Sequence, residues 1–224
     1  AARLAGDADK PGTIIAIRHQ SMEPIPASAI HTSIAAEFGD VHIEELLIDQ
    51  TDLYINGRLV DPVEAVRRQE DLAQRVSELQ LFHPGADLAY CGIAHIPLLF
   101  RAGYQLSNKS NFHLFEHDRQ TAQWHRLQGP DRGPNLALEE ALPAGTSTPG
   151  EVILRVSVSY EVTLEDIQGM VPSAVASIHL RIPEPQIDLV TSEYQTREYS
   201  VRFRRILDQI HSRFTGGNGI HMFY

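Results

Sequence analysis

Residues 87–107 read DLAYCGIAHIPLLFRAGYQLS, and the fold turns on how they divide. Leu88 to Cys91 is a short apolar run of strand type, closed by Gly92, a residue free to take backbone conformations barred to others. From Ile96 to Tyr104 nearly every position is apolar, with Pro97 in the first turn, where a helix tolerates proline. Strand, glycine turn and helix is the anatomy by which α/β proteins offer backbone N–H groups and a positive helix end to a phosphate. The chain contains neither GxGxxG nor a P-loop pattern, which argues against a dinucleotide enzyme or a P-loop nucleotidase.

Working outward, Thr13 to Arg18, TIIAIR, follows the turn pair Pro11-Gly12 and reads as a buried first strand. His19, Gln20, Ser21 and Met22 stand at its carboxyl end, where open α/β sheets collect ligands. Ser28 to Phe38 reads as a short helix and Val41 to Ile48 as a second strand. Asp61-Pro62 opens a long amphipathic helix, with Asp61 as N-cap, that runs to Phe82 before His83-Pro84-Gly85 ends it. After the central stretch, Asn111 to His117 alternates as a strand, and Thr121 to Leu127, which carries the only tryptophan, Trp124, pairs with it as a hairpin.

The Pro- and Gly-rich residues 129–150 mark a linker or excursion, after which the pattern restarts. Val152 to Val162 reads as a strand, Thr163 caps a short helix, Ser177 to Ile182 is a strand, Glu193 to Phe214 a long charged helix, and Gly219 to Tyr224 a last strand after the Gly216-Gly217 turn. Both halves thus run strand, strand, long helix, glycine turn, strand, an internal repeat of pattern. The expected organisation is a polar leader over 1–12, a first half over 13–128, the linker, and a second half over 151–224 that stops before its last helix. The fold class is α/β: two fused Rossmann-like halves with mostly parallel sheets, flanking helices and a β-hairpin insertion.

Composition narrows the function. A net charge of -10 argues against coating genomic DNA, which needs a broad basic surface. Lys10 and Lys109 are the only lysines, and arginine suits bidentate phosphate contacts. Cys91 is the sole cysteine, so there is no internal disulfide and no thiolate zinc site, in keeping with a reducing cytoplasm. No apolar run reaches the ~20 residues of a membrane span. Eleven histidines raise the question of a metal, but the i, i+4 spacing of His113 and His117 suits a helix and falls in a strand, so no metal site and no cofactor are expected. Cys91 and His95 could be imagined as nucleophile and base, yet a cysteine in a buried strand usually serves as a small hydrophobe.

Taken together, TIIAIRHQSMEPIP, YCGIAHIPLLFRAGYQLS, FHLFEHDRQTAQWHRL, VILRVSVSYEVTLEDI and the terminal GIHMFY resemble the SAVED family, sensor domains of bacterial anti-phage systems. The resemblance implies two CARF-like halves with a cyclic oligonucleotide, such as cyclic tri- or tetra-adenylate, held between them. It further implies a sensor, not an enzyme, that assembles head to tail on ligand binding and switches on a fused or associated effector in CBASS or CRISPR defence in the bacterial cytoplasm, tethered to the membrane if that effector is transmembrane. The candidate ligand contacts are Arg18, His19, Gln20 and Ser21, the backbone near Gly92 and Ala94, His95, the hydroxyls of Ser157 and Ser159, and the aromatic faces of Phe112, Trp124 or Tyr224. The alternatives are a ring nuclease acting on such a messenger and an interaction module without a small ligand.

Overall fold

The structure, a computed structural model, describes residues 12–106, 112–119, 121–129, 134, 136–138, 149–214 and 219–224. The chain divides between Leu127 and Gln128 into two compact units. The expected leader up to residue 11, most of the linker and the Gly216-Gly217 turn lie outside the described residues.

The first unit is built on strand β1, Thr13–Gln20, whose Ile14, Ile15, Ala16 and Ile17 are wholly buried. Four consecutive buried apolar residues mean that both faces of the strand are covered, as a parallel α/β sheet requires. Helix α1, Ala27–Phe38, covers one face with Ile30, Ile34 and Phe38, against Ile14, Ala16, Ala89 and Cys91. Strand β2, His42–Asp49, is followed by a small hairpin, β3 Tyr54–Ile55 and β4 Arg58–Leu59, turned by Asn56 and Gly57 in the left-handed region. Helices α2, Pro62–Arg67, and α3, Leu72–Phe82, lead to β5, Asp87–Ile93, and then to α4, Ile96–Leu106. The other face of β1, Ile15 and Ile17, packs with Leu46, Ile48, Leu72, Val76, Leu88 and Ala102. Strands β6, Phe112–Asp118, and β7, Gln123–Arg126, complete the sheet in the order β2-β1-β5-β6-β7, all parallel except β7.

Two expectations need correction in this unit. The single helix from Asp61 to Phe82 is two helices. Asp61 caps the first as expected, accepting the Glu64 N–H at 2.9 Å, but the chain then tightens through Gln69 N–H to Val66 O and Leu72 N–H to Gln69 O. This break carries Gln69, a wholly buried residue, into the interior, while Val63 stays exposed; periodicity alone does not see a polar side chain drawn inward by a buried partner. The second correction is Gly92, which lies within β5, paired with His19, and has no left-handed φ. Its need for glycine is steric: a Cβ there would stand 2.8 Å from Cε1 of Tyr90, two residues back on the same face. Gly92→Ala is therefore expected to cost about 1–3 kcal/mol by overpacking a ring that is tied down at its hydroxyl. An unchanged urea midpoint would overturn this.

The second unit has β8, Ala137–Leu138; β9, Glu151–Ser157; β10, Ala174–Arg181; helix α5, Glu193–Arg213; and β11, Gly219–Phe223. The order is β11-β9-β10-β8, with β8 antiparallel. Ile206, Ile210 and Phe214 of α5 and its C-cap pack on Val152, Leu154, Ile178 and Leu180. Two further corrections arise. Strand β9 ends at Ser157 and does not reach Val162, because the Ser157 hydroxyl accepts the Val162 N–H at 2.9 Å and turns the chain. Thr163 does start a capped segment: its Oγ1 accepts the Asp166 N–H, and the Asp166 carboxylate accepts the Thr163 N–H and O–H. It yields turns over 164–170 and no α-helix, with Gly169 in the left-handed region.

The two units share one hydrogen-bonding device. In β1, Arg18 Nη1 donates to Ile25 O at 2.6 Å while Ile25 N–H donates to Gln20 Oε1 at 2.8 Å. In β9, Arg155 Nη1 donates to Val162 O at 3.0 Å while Val162 N–H donates to the Ser157 hydroxyl at 2.9 Å. Each arginine sits seven residues before the peptide it clamps. The central strand of each unit lies between its sequence successor and the strand after the helical region, β2-β1-β5 and β10-β9-β11.

Candidate functional site

The carboxyl ends of β1 and β5 are fastened together. The N–H groups of Ser21 and Met22 both donate to Ile93 O, at 3.1 and 3.2 Å. Ser21 Oγ accepts the His95 N–H at 2.8 Å, so its own proton is free to go to His95 Nδ1, also at 2.8 Å. That bond fixes the tautomer: Nε2 of His95 carries the ring proton. Nε2 makes no protein hydrogen bond among the described residues and is not among the buried unsatisfied atoms, so it faces outward as a donor. The His95 carbonyl receives the N–H groups of Leu98 and Leu99, which sets the ring at the amino-terminal end of α4. Tyr54 meets the imidazole edge-on, with ring centroids 5.1 Å apart and planes at 69°. A donor on a rigid base, at a positive helix end and beside an aromatic ring, can hold a phosphate oxygen or a base edge.

Beneath this lies a sealed polar cluster. His19 is wholly buried, with Nδ1 at 2.5 Å from the Tyr90 hydroxyl and Nε2 at 3.0 Å from Gln50 Oε1 and 2.9 Å from the Gln69 side-chain amide. Gln50 Nε2 donates to Ala65 O at 2.6 Å, which fixes its carbonyl toward the ring, so the His19 Nε2 carries the proton and the Tyr90 hydroxyl donates to Nδ1; Gln69 then meets that N–H as an acceptor, with its amide turned so that Oε1, otherwise buried without a partner, faces the ring. Burial lowers the His19 pKa from 6.5 to about 4 against the opposing hydrogen bond from Gln50. Burial likewise pushes the Tyr90 hydroxyl and the Cys91 thiol far above their ordinary ranges.

The remaining sequence candidates fall as follows. Arg18 bonds Glu45 at 2.6 Å as well as Ile25 O, with its buried Nε left without a partner, and Gln20 accepts from Arg18 and Ile25 N–H, so both side chains are tied into the protein. Gly92 is a strand residue, and Ala94 is buried. Phe112 opens β6, at the opposite end of the sheet from His95, and stacks on Tyr90. Trp124 is a core residue packed with Phe38 and Phe115, and His117 covers it. Cys91 is wholly buried in the same cluster, so the imagined Cys91–His95 pair is not formed: the thiol is held protonated, and His95 Nδ1 is engaged by Ser21. In the second unit Ser157 is buried and bonds His179 Nε2 at 2.8 Å, with Glu161 at 3.8 Å from that nitrogen and at 3.0 Å from Arg181. Ser159 and Tyr224 are exposed, just beyond the ends of β9 and β11.

Tyr54, Gln50, Gln69 and Tyr90 were not among the sequence candidates. The Asn56-Gly57 pair is a hairpin signal that could have drawn attention to Tyr54. The two glutamines carry no local signal. A separate cavity of about 420 Å³ at the carboxyl end of β2 is lined by Arg67, Arg68 and Arg75 but also by Asp49, Glu70 and Asp71. Its charges balance, and Arg68 is already held bidentately by Asp52, so it offers an anion little net attraction.

The family model described as the SMODS-associated and fused to various effectors sensor domain, SAVED, matches residues 65–224. A solved structure of the Acinetobacter baumannii Cap4 SAVED/CARF-domain containing receptor with the cyclic trinucleotide 2'3'3'-cAAA is similar, at 14% identity and a TM-score of 0.53, over 95% of this chain and 42% of that one. A second structure of that receptor matches at 16% identity and a TM-score of 0.51, over 95% of this chain and 41% of the other. The chain thus spans about two fifths of the length of the structures it matches. No curated protein matches it. At such identity the likeness shows a shared α/β fold, and no helix among the described residues is long and apolar enough to cross a membrane. With the family model covering most of its length, the chain belongs to the SAVED sensor-domain family.

Proposed function

We propose that this chain is the sensing part of a bacterial antiviral system, binding a cyclic oligonucleotide of the cyclic tri- or tetra-adenylate type. Binding promotes self-association, which activates a fused or associated effector in the cytoplasm. The observation that carries the reading is the Ser21–His95 pair at the carboxyl ends of β1 and β5, in a chain of a sensor family. A ring of phosphates and bases needs fixed outward donors and an aromatic edge, and His95 Nε2 with Tyr54 supplies both. Ser21 acts through His95 as its positioning residue. The family's description as fused to various effectors, and the cyclic trinucleotide in the Cap4 receptor, support the ligand class and the coupling to an effector.

The test is calorimetric titration with cyclic di-, tri- and tetra-adenylate, paired with light scattering. One ring is expected to bind with a Kd on the order of 1 μM or below and to raise the mass. His95→Ala is expected to weaken that ring about 10-fold or more, the worth of one hydrogen bond to a charged group. Absence of heat with every ring would overturn the assignment. Full binding by His95→Ala would move the site elsewhere.

A further inference from the structure

At the amino end of the sheet, opposite to Ser21 and His95, three side chains from two elements converge. His42 and Glu44 lie two apart on β2, on the face that continues through Leu46 and Ile48 onto Leu72 and Val76 of α3. His83 caps the carboxyl end of α3, its N–H bonded to Leu79 O and its carbonyl to the Ala86 N–H. One ligand atom from each of the three residues lies within 4.8 Å of the other two. His42 Nε2 stands 3.6 Å from Glu44 Oε2, and the two imidazoles are 5.3 Å apart between centroids.

From this geometry we propose a divalent transition-metal site made by His42, Glu44 and His83. Two imidazoles and one carboxylate form a ligand set suited to zinc, and to nickel or copper, while magnesium and calcium call for more oxygen than one carboxylate offers. Around a zinc ion, ligand atoms about 2.1 Å from the metal stand about 3.4 Å apart, so closure asks for shifts of about 1 Å. Such shifts are open to these side chains, since His42 is exposed and the other two half-buried. The backbone beneath them is held by the strand ladder and by the core contacts of α3. The carbonyl end of α3 adds a favourable field for a cation. As an ion pair alone, His42 and Glu44 contribute little, with side chains 58% and 37% exposed, and that pair does not involve the third residue, His83. Three protein ligands leave a fourth position for water or a group from a further molecule, and the metal ties the start of β2 to the end of α3. No short-range spacing points to this set, because His83 lies 41 residues from His42 in the chain.

Zinc titrated calorimetrically into the full chain at neutral pH is expected to fill one tight site. His83→Ala and Glu44→Gln are each expected to weaken it roughly 10-fold or more. His211→Ala, on an exposed stretch of α5, leaves it unchanged, and magnesium gives no heat. A readout that needs no variant is cobalt(II) loading of the unaltered chain, which is expected to broaden the ring resonances of His42 and His83 selectively. No tight zinc site, equal affinity in the His83 and Glu44 variants, or broadening spread over the other histidines would each overturn the proposal.

Discussion

Arg18→Ala is expected to lower the stability of the first unit by about 3 kcal/mol, the range found when one partner is removed from a largely buried pair. The Arg18 and Glu45 side chains are 14% and 24% exposed, so the Glu45 carboxylate would be left largely desolvated beyond its 3.6 Å approach to His31. The same change strips the carbonyl of Ile25 of its donor where the chain leaves β1, so the loss is double. Urea unfolding followed by circular dichroism checks this, with Arg18→Met to separate packing from charge. A loss below about 0.5 kcal/mol would mean the clamp is a surface pair in effect. The measurement also decides between two roles for the residue. Weakened ring binding at unchanged stability would restore Arg18 as a ligand contact, whereas lost stability with intact binding would confirm it as a clamp.

Between pH 7 and pH 5 the same unit is expected to lose about 2 kcal/mol through His19 alone. The sign follows from the direction of the shift. Burial holds the native imidazole neutral with a pKa of about 4, against 6.5 in the unfolded chain, so through this interval the unfolded state binds the extra proton. Stability from this group is full above pH 6.5 and falls as pH drops, until the native ring also protonates near pH 4. The carboxylates held low, such as Glu64 at about 2 beside Arg67 and Arg68, lose their contribution at lower pH and leave the window to His19. His19→Gln should flatten the profile between pH 7 and 5. An NMR titration of the native protein supplies a check independent of the variant: a His19 ring that titrates near 6.5 would defeat the account.

The parts of the fold written in local pattern were legible. The unbroken apolar run of β1, the Asp61-Pro62 start of α2, the alternation in β6 and the periodicity of α5 each have a physical cause within a few residues. What escaped was set by particular side-chain contacts, near or far along the chain, that hydrophobic pattern does not display. The break between α2 and α3 answers to His19, fifty residues earlier in sequence, which takes Gln69 into its cluster. The end of β9 answers to the Ser157 hydroxyl folding back on Val162. The role of Gly92 depends on the ring of Tyr90 lying across it.

The candidate site divides in the same way. His19, Gln20, Ser21 and His95 were singled out because α/β sheets collect ligands at strand carboxyl ends, a rule of topology readable from element order, and the structure does place all four at the carboxyl ends of β1 and β5. Which of these four keep a side-chain donor outside the protein's own bonds was not readable. Adjacent strand residues point to opposite faces, and burial together with hydrogen-bond partners decides which of them keeps a free donor. Sequence by itself determined the fold class and most of the element order, because hydrophobic period and turn chemistry act over neighbouring residues. Tertiary structure alone decided that Arg18, His19 and Gln20 are tied into internal bonds, that Ser21 bonds the His95 ring, and that His83 meets His42 and Glu44 at the other end. Those outcomes depend on side-chain distances between segments that only folding brings together.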